Sequence, residues 1–90
     1  MHYYVYVLYS LKDKKFYVGS SRNIKIRVES HFKGKVRSTV NRRPLKLILY
    51  ECFFDKEDAL KREIFLKSGF GRDQLRKALK NTLSKLKYIS

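Results

Sequence analysis

The chain is short of acid, cysteine, proline and glycine, and each shortage narrows its reading. Eight Asp and Glu stand against 22 Lys and Arg in 90 residues, a formal net charge of +14. With so few acids, most of the basic charge has no internal partner, and the balance favours polyanions, above all nucleic acid. The single cysteine, Cys52, excludes an intrachain disulfide and is compatible with a reducing, cytoplasmic setting. Cys52 sits in the apolar run Leu45 to Phe54, so it is expected in the core. No stretch approaches the roughly 20 apolar residues of a membrane span, which argues against a membrane partner. Met1-His2-Tyr3 leads straight into a strand-like run with no signal-peptide pattern. No His/Cys cluster has zinc spacing, no Gly-rich loop of the P-loop kind is present, and no Ser/His/Asp set is apparent.

What is present is enough for one small domain over residues 1–90, since 43% of the chain is hydrophobic. Residues 3–9 are aromatic or aliphatic throughout and predict a strand. Phe16 to Gly19 returns as a second strand after the polar turn 11–15. Asn23 or Ser21 caps a helix running to about Phe32, with Ile24, Val28 and Phe32 as its apolar stripe. Lys33 to Pro44 reads as a basic loop and Leu45 to Phe54 as a third strand. Asp55 caps a further helix, which Gly69-Phe70-Gly71 breaks. A last helix starts near Arg72 or Asp73, uses Leu75, Ala78, Leu79, Thr82 and Leu83 as its inner face, and is expected to fray at its tail. The order is β-β-α-β-α-α, an α+β fold with a small, mainly antiparallel three-stranded sheet flanked by helices.

One carboxylate stands out. Helical spacing puts Ala59, Leu60, Ile64 and Leu66 on an apolar stripe and Glu63 near its centre. An inward charge is costly unless a cation or donors meet it, so Glu63 faces either an Arg27 or lysine partner or a divalent metal. Arg27 and His31, four apart, share a face of the first helix beside its stripe. Arg27 offers a planar fork to phosphate, and His31 can bond the same group or move a proton. Seven tyrosines, four of them in the first nine residues, supply phenols to the hairpin. Tyr4 and Tyr6 share one face, and Tyr17 lies on the partner strand. Nearby cations are expected to lower the pKa of Tyr6 or Tyr17.

In order and spacing, these pieces resemble the GIY-YIG nuclease superfamily. Tyr4-Val5-Tyr6 resembles the first half-motif and Tyr17-Val18-Gly19 the second. The stretch from Gly19 through Arg27-Val28-Glu29-Ser30-His31 is similar to the family's run into Arg-x-x-x-His, and Ala59-Leu60-Lys61-Arg62-Glu63 to its Ala-Leu-x-x-Glu. Arg43-Pro44-Leu45 resembles the entry to the third strand. The likeness is greatest to small stand-alone bacterial members and to the N-terminal domain of excinuclease C. Tyr4 stands where many members have glycine. The late Asn of many members has no counterpart at matching spacing, with Gln74 and Asn81 the nearest candidates.

The resemblance implies a metal-dependent DNA endonuclease, structure-selective or weakly sequence-specific, working in repair or processing. Its substrates would be branched, nicked or single-stranded DNA, with RNA left open. Tyr6 or Tyr17 would activate water, Arg27 would stabilise the transition state, and His31 would assist at the phosphate or relay a proton. Glu63 would be the protein ligand to Mg²⁺ or Mn²⁺, and Gly19 would keep the backbone close to the site. Arg22, Lys25, Lys33, Lys35, Arg37, Arg42 and Arg43 would bind phosphates without reading sequence. The competing reading is a non-catalytic nucleic-acid-binding module that keeps the fold.

Overall fold

The computed structural model describes residues 2–87. The elements run β1 (Tyr3–Ser10), β2 (Phe16–Ser21), α1 (Ile24–Phe32), β3 (Leu45–Phe53), α2 (Lys56–Lys67), α3 (Gly69–Ala78) and α4 (Lys80–Leu86), with a 3-10 turn at Val40–Arg42 before β3. The predicted order holds, and the final helical stretch is divided at Leu79 into α3 and α4. The tail beyond residue 87 lies outside the described residues.

The sheet has the order β2-β1-β3, antiparallel at both seams, so the aromatic first strand is its centre. Alternation along β1 splits the core into two layers. Val5 and Val7 join Val18, Ala59, Leu66 and Leu75 beneath α2 and α3. Tyr6 and Leu8 join Val28 and Leu45, with Tyr17 and Ile24 beside them, beneath α1. Truncating a buried leucine such as Leu66 or Leu75 to alanine typically costs about 2–5 kcal/mol.

Helix starts follow side-chain caps. The Asn23 side chain accepts from the Ile26 amide at 3.2 Å and Asp55 from Glu57 at 2.8 Å, as the sequence predicts. The break after α2 falls one residue earlier than expected. Ser68 caps α3 by accepting from the Gly71 amide at 3.1 Å, so both glycines lie in the first turn of α3. Gly71 packs directly on the α2 backbone at Phe65 and Leu66.

Three other expectations are corrected. Phe32 is 45% exposed, and the inner stripe of α1 is instead Ile24, Val28 and His31, at i, i+4 and i+7. Ile64 is 71% exposed because the inner line of α2 runs Ala59, Glu63, Leu66, again i, i+4 and i+7. Cys52 is exposed rather than core. It pairs with Tyr4 across the seam, on the side of the sheet where the layer under α1 has already ended.

Candidate functional site

The phenols, the histidine, the guanidinium and the acid meet around β2. Tyr6 on β1 is paired with Gly19 on β2, and its ring lies across that glycine. A Cβ on Gly19 would lie within 2.5 Å of Tyr6 Cζ, so only glycine leaves room for the phenol. The Tyr6 hydroxyl stands 2.8 Å from His31 Nε2, and His31 Nδ1 stands 2.8 Å from Thr39 Oγ1. All three residues are sealed, with Tyr6 at 1% exposure and His31 and Thr39 at 0%. The Tyr17 ring closes one side, with its centroid 5.0 Å from His31 and 6.5 Å from Tyr6. Its hydroxyl reaches outward and accepts from Ser38 Oγ at 3.4 Å.

Burial sets the protonation of this cluster. Removal from water, then the neighbouring Arg27 charge, lowers the His31 pKa to about 4, so the ring is neutral at neutral pH. The Tyr6 phenol moves upward from 10.0, so the lowered value expected of Tyr6 or Tyr17 is not found at Tyr6. Desolvation is the largest cause; the neighbouring Arg27 guanidinium pulls the other way, while Tyr17 and Glu63 push up. That Tyr6 feels both Arg27 and Glu63 puts the two charges within electrostatic reach of one hydroxyl. Arg27 itself is exposed at the mouth of the cluster.

Glu63 arrives from the other layer. Its side chain is 17% exposed. Oε1 accepts from Ser20 Oγ at 2.6 Å, and Oε2 pairs with Lys67 Nζ at 3.0 Å, one helical turn on. Ser20 follows Gly19 on β2, so one strand carries both the gap for the phenol and the anchor of the acid. Among the described residues no group of three or more His, Cys, Asp or Glu is placed to hold a metal ion. A zinc or calcium cage is therefore not built here, whereas Mg²⁺, which keeps several waters and needs few protein ligands, fits a single half-buried carboxylate. Lys67 is half exposed on a flexible stem and can leave Oε2 to such an ion.

The predicted basic residues divide. Lys25, Lys33, Lys35, Arg37 and Arg43 are exposed, and Arg22 is exposed but already engaged within the fold. Arg42 is structural as well as cationic. It grips Asp13 with two nitrogens, at 2.5 and 3.2 Å, and caps the Lys15 and Phe16 carbonyls at 3.3 Å. Tyr4 lies outside the cluster, packed on Tyr50. Gln74 and Asn81 are both exposed. The sequence reading missed Thr39, Ser20 and Lys67. Ser20 adjoins the motif glycine and Lys67 lies at i+4 from Glu63, so both were within reach of spacing arguments. Thr39 sits in an irregular loop where no periodicity marks it.

Comparison with known proteins agrees with this geometry. Residues 2–77 match the family described as the GIY-YIG catalytic domain. A UPF0213 protein of Staphylococcus haemolyticus is 37% identical over 73 residues, covering 80% of this chain and 87% of that protein. A UPF0213 protein of Limosilactobacillus reuteri is 44% identical over 68 residues, covering 72% of this chain and 70% of the relative. The solution NMR structure of a UPF0213 protein from Bacillus halodurans superposes with a TM-score of 0.57 at 31% identity, covering 98% of this chain and 95% of that one.

Proposed function

The chain belongs to the GIY-YIG family, a nuclease family, and from that premise we propose that it is an endonuclease that hydrolyses DNA phosphodiesters with Mg²⁺ or Mn²⁺. The observation that carries this reading is the sealed Tyr6–His31–Thr39 chain with Arg27 at its mouth and Glu63 within electrostatic reach. A binding module needs exposed cations; it does not need a buried phenol bonded to a neutral imidazole.

Each residue then has a role. A neutral His31 accepts from the Tyr6 hydroxyl at Nε2 and donates from Nδ1 to Thr39, which fixes one tautomer. Tyr6 or Tyr17, as the phenolate, would take the proton of the attacking water, and His31 Nε2 orients the Tyr6 hydroxyl. His31, buried and neutral, acts by positioning the Tyr6 hydroxyl rather than by touching the phosphate. Tyr17 walls the imidazole and holds its ring in place. Arg27 meets the phosphate oxygens as charge builds on them. Glu63 would hold the cation, oriented by Ser20, and when bound the cation supplies charge neutralisation at the scissile phosphate. Lys25, Lys33, Lys35, Arg37 and Arg43 hold the backbone on either side, a contact set indifferent to base identity.

The test is incubation of the purified protein with labelled duplex, nicked, forked and single-stranded DNA, with Mg²⁺, Mn²⁺ or EDTA, beside Glu63→Gln and Arg27→Ala. The expected result is cation-dependent cutting that falls at least a hundredfold in both variants while most DNA affinity remains. Binding without cutting under every condition returns the molecule to a binding module. Cutting that survives EDTA or Glu63→Gln overturns the assigned roles.

A further inference from the structure

A broad depression lies away from the phenol cluster. It is a groove of about 850 Å³ between the hairpin turn and helices α3 and α4. Tyr9 and Phe16 line it, their rings 5.9 Å apart. They are paired across β1 and β2, and alternation puts them on the Val5/Val7 layer rather than the Tyr6 layer. Tyr9 is three residues past Tyr6, so the groove starts roughly 10 Å along the strand, on the face opposite the Tyr6 ring and shared with Glu63.

Its charged residues are cationic but for one. Lys14, Lys15, Arg72, Arg76, Lys80 and Lys87 line it, and its one acid, Asp13, is already held by Arg42. None of those six takes part in an ion pair among the described residues. Arg72 and Arg76 are four apart on α3, a like-charge spacing that weakens a helix rather than supporting it. Lys14 has a φ of 61°, a left-handed conformation that glycine or asparagine adopts more cheaply. The hairpin turn, closed by the Lys14 amide on the Ser10 carbonyl, accounts for the second feature, and helix stability does not account for the first. A concave surface lined by one sign of charge focuses its field and concentrates a polyanion.

We propose that this groove is a second nucleic-acid backbone site, which binds another arm of the same DNA that enters the phenol cluster. The identity of the substrate rests on the nuclease reading; the groove's affinity for DNA does not. The cations assigned to the first arm, Lys25, Lys33 and Lys35, lie on and just after α1, on the Tyr6 side, and a straight duplex held there cannot also lie in the groove. A forked, flapped or sharply bent DNA can pass around the β2 side and touch both, and the second contact then acts at high effective concentration. The two aromatic rings between the cations give unpaired bases a stacking surface, which favours a junction with a single-stranded arm.

The variant Arg72→Gln/Arg76→Gln/Lys80→Gln tests this, because all three side chains are exposed and glutamine keeps helix propensity. An unchanged melting curve confirms that the fold is intact. In EDTA, where no cutting occurs, anisotropy should show affinity for forked DNA falling about tenfold at physiological salt. The slope of log affinity against log salt should shrink by roughly 2 to 3. With Mg²⁺, KM for forked DNA should rise by a similar factor with kcat unchanged, while cutting of a single-turn duplex changes less than twofold. Equal losses on both substrates, or no loss on forked DNA, overturn the second-arm assignment. Loss of binding to phosphatidylserine vesicles with DNA affinity intact overturns it in favour of a membrane surface. If no substrate is cut at all, the nuclease reading has failed and the EDTA binding result still decides the groove.

Discussion

The hydroxyl of Tyr6 and Nε2 of His31 lie 2.8 Å apart in a space closed to solvent, and each satisfies the other. Neither partner can be removed without leaving a buried polar atom unmet. Tyr6→Phe should therefore destabilise the protein by about 1–3 kcal/mol, more than loss of a surface hydroxyl, as read by urea denaturation.

The same burial makes stability depend on pH. The pKa of His31 is about 4 when folded and 6.5 in its ordinary state, so between these values the unfolded chain binds the extra proton. The contribution is fully present above pH 6.5 and is lost as pH falls toward 4, up to about 3 kcal/mol. Urea midpoints at pH 7, 6 and 5 should fall in that order, and His31→Gln should flatten the trend. A midpoint that is level across the window in the unaltered protein contradicts a buried neutral imidazole.

Two neighbours of Glu63 should act with opposite sign. Ser20 bonds Oε1, and Lys67 pairs with Oε2. Ser20→Ala should raise the Mg²⁺ concentration for half-maximal cutting about tenfold, the usual cost of losing a partner that orients a metal ligand. Lys67→Gln should lower it. Titration of cutting rate against Mg²⁺ reads both, and a shift in the same direction for the two variants would show that the carboxylate is not the ion's ligand.

The two glycines that open α3 should respond differently to alanine. A Cβ on Gly71 would press into the backbone of Phe65 and Leu66, which cannot yield as a side-chain tip can, whereas Gly69 has nothing within 4 Å. Gly71→Ala should cost upwards of about 2 kcal/mol by overpacking. Gly69→Ala should be neutral or slightly stabilising in thermal denaturation.

Arg42 and Lys35 separate structure from binding. Arg42 ties the loop before β3 to the hairpin turn through Asp13 and two carbonyls. Arg42→Gln should lower stability by about 1–2 kcal/mol, since those acceptors lose a charged donor. Lys35→Gln should leave the melting temperature alone and weaken DNA binding with a shallower salt slope. Calorimetry and a salt series on each variant distinguish the two.

Much of this was legible because strong local rules agreed. The β-branched and aromatic run of β1, the caps at Asn23 and Asp55, and the inward place of Glu63 all follow from patterns a few residues long. Failures came where a neighbour outside the local window decided the outcome. Cys52 looks like core within its own strand, but the layer it faces ends before reaching it. Ile64 and Phe32 fit helical stripes that the sheet does not choose, because polar Glu63 and His31 take the inner positions. The Tyr6 shift was misjudged because counting cations ignores how completely the ring is withdrawn from water. Thr39 and the groove cations were hidden for a different reason: tertiary contacts between distant segments give them meaning.

Strand β2 has a paired neighbour on one side only, and it carries both Gly19 beneath the Tyr6 ring and Ser20 on the Glu63 carboxylate. Its free margin is consequently a vulnerable point for inhibition. An extended peptide that zips onto it would wall off Gly19 and Ser20, blocking the way to the phenol and to the acid in one step through backbone pairing.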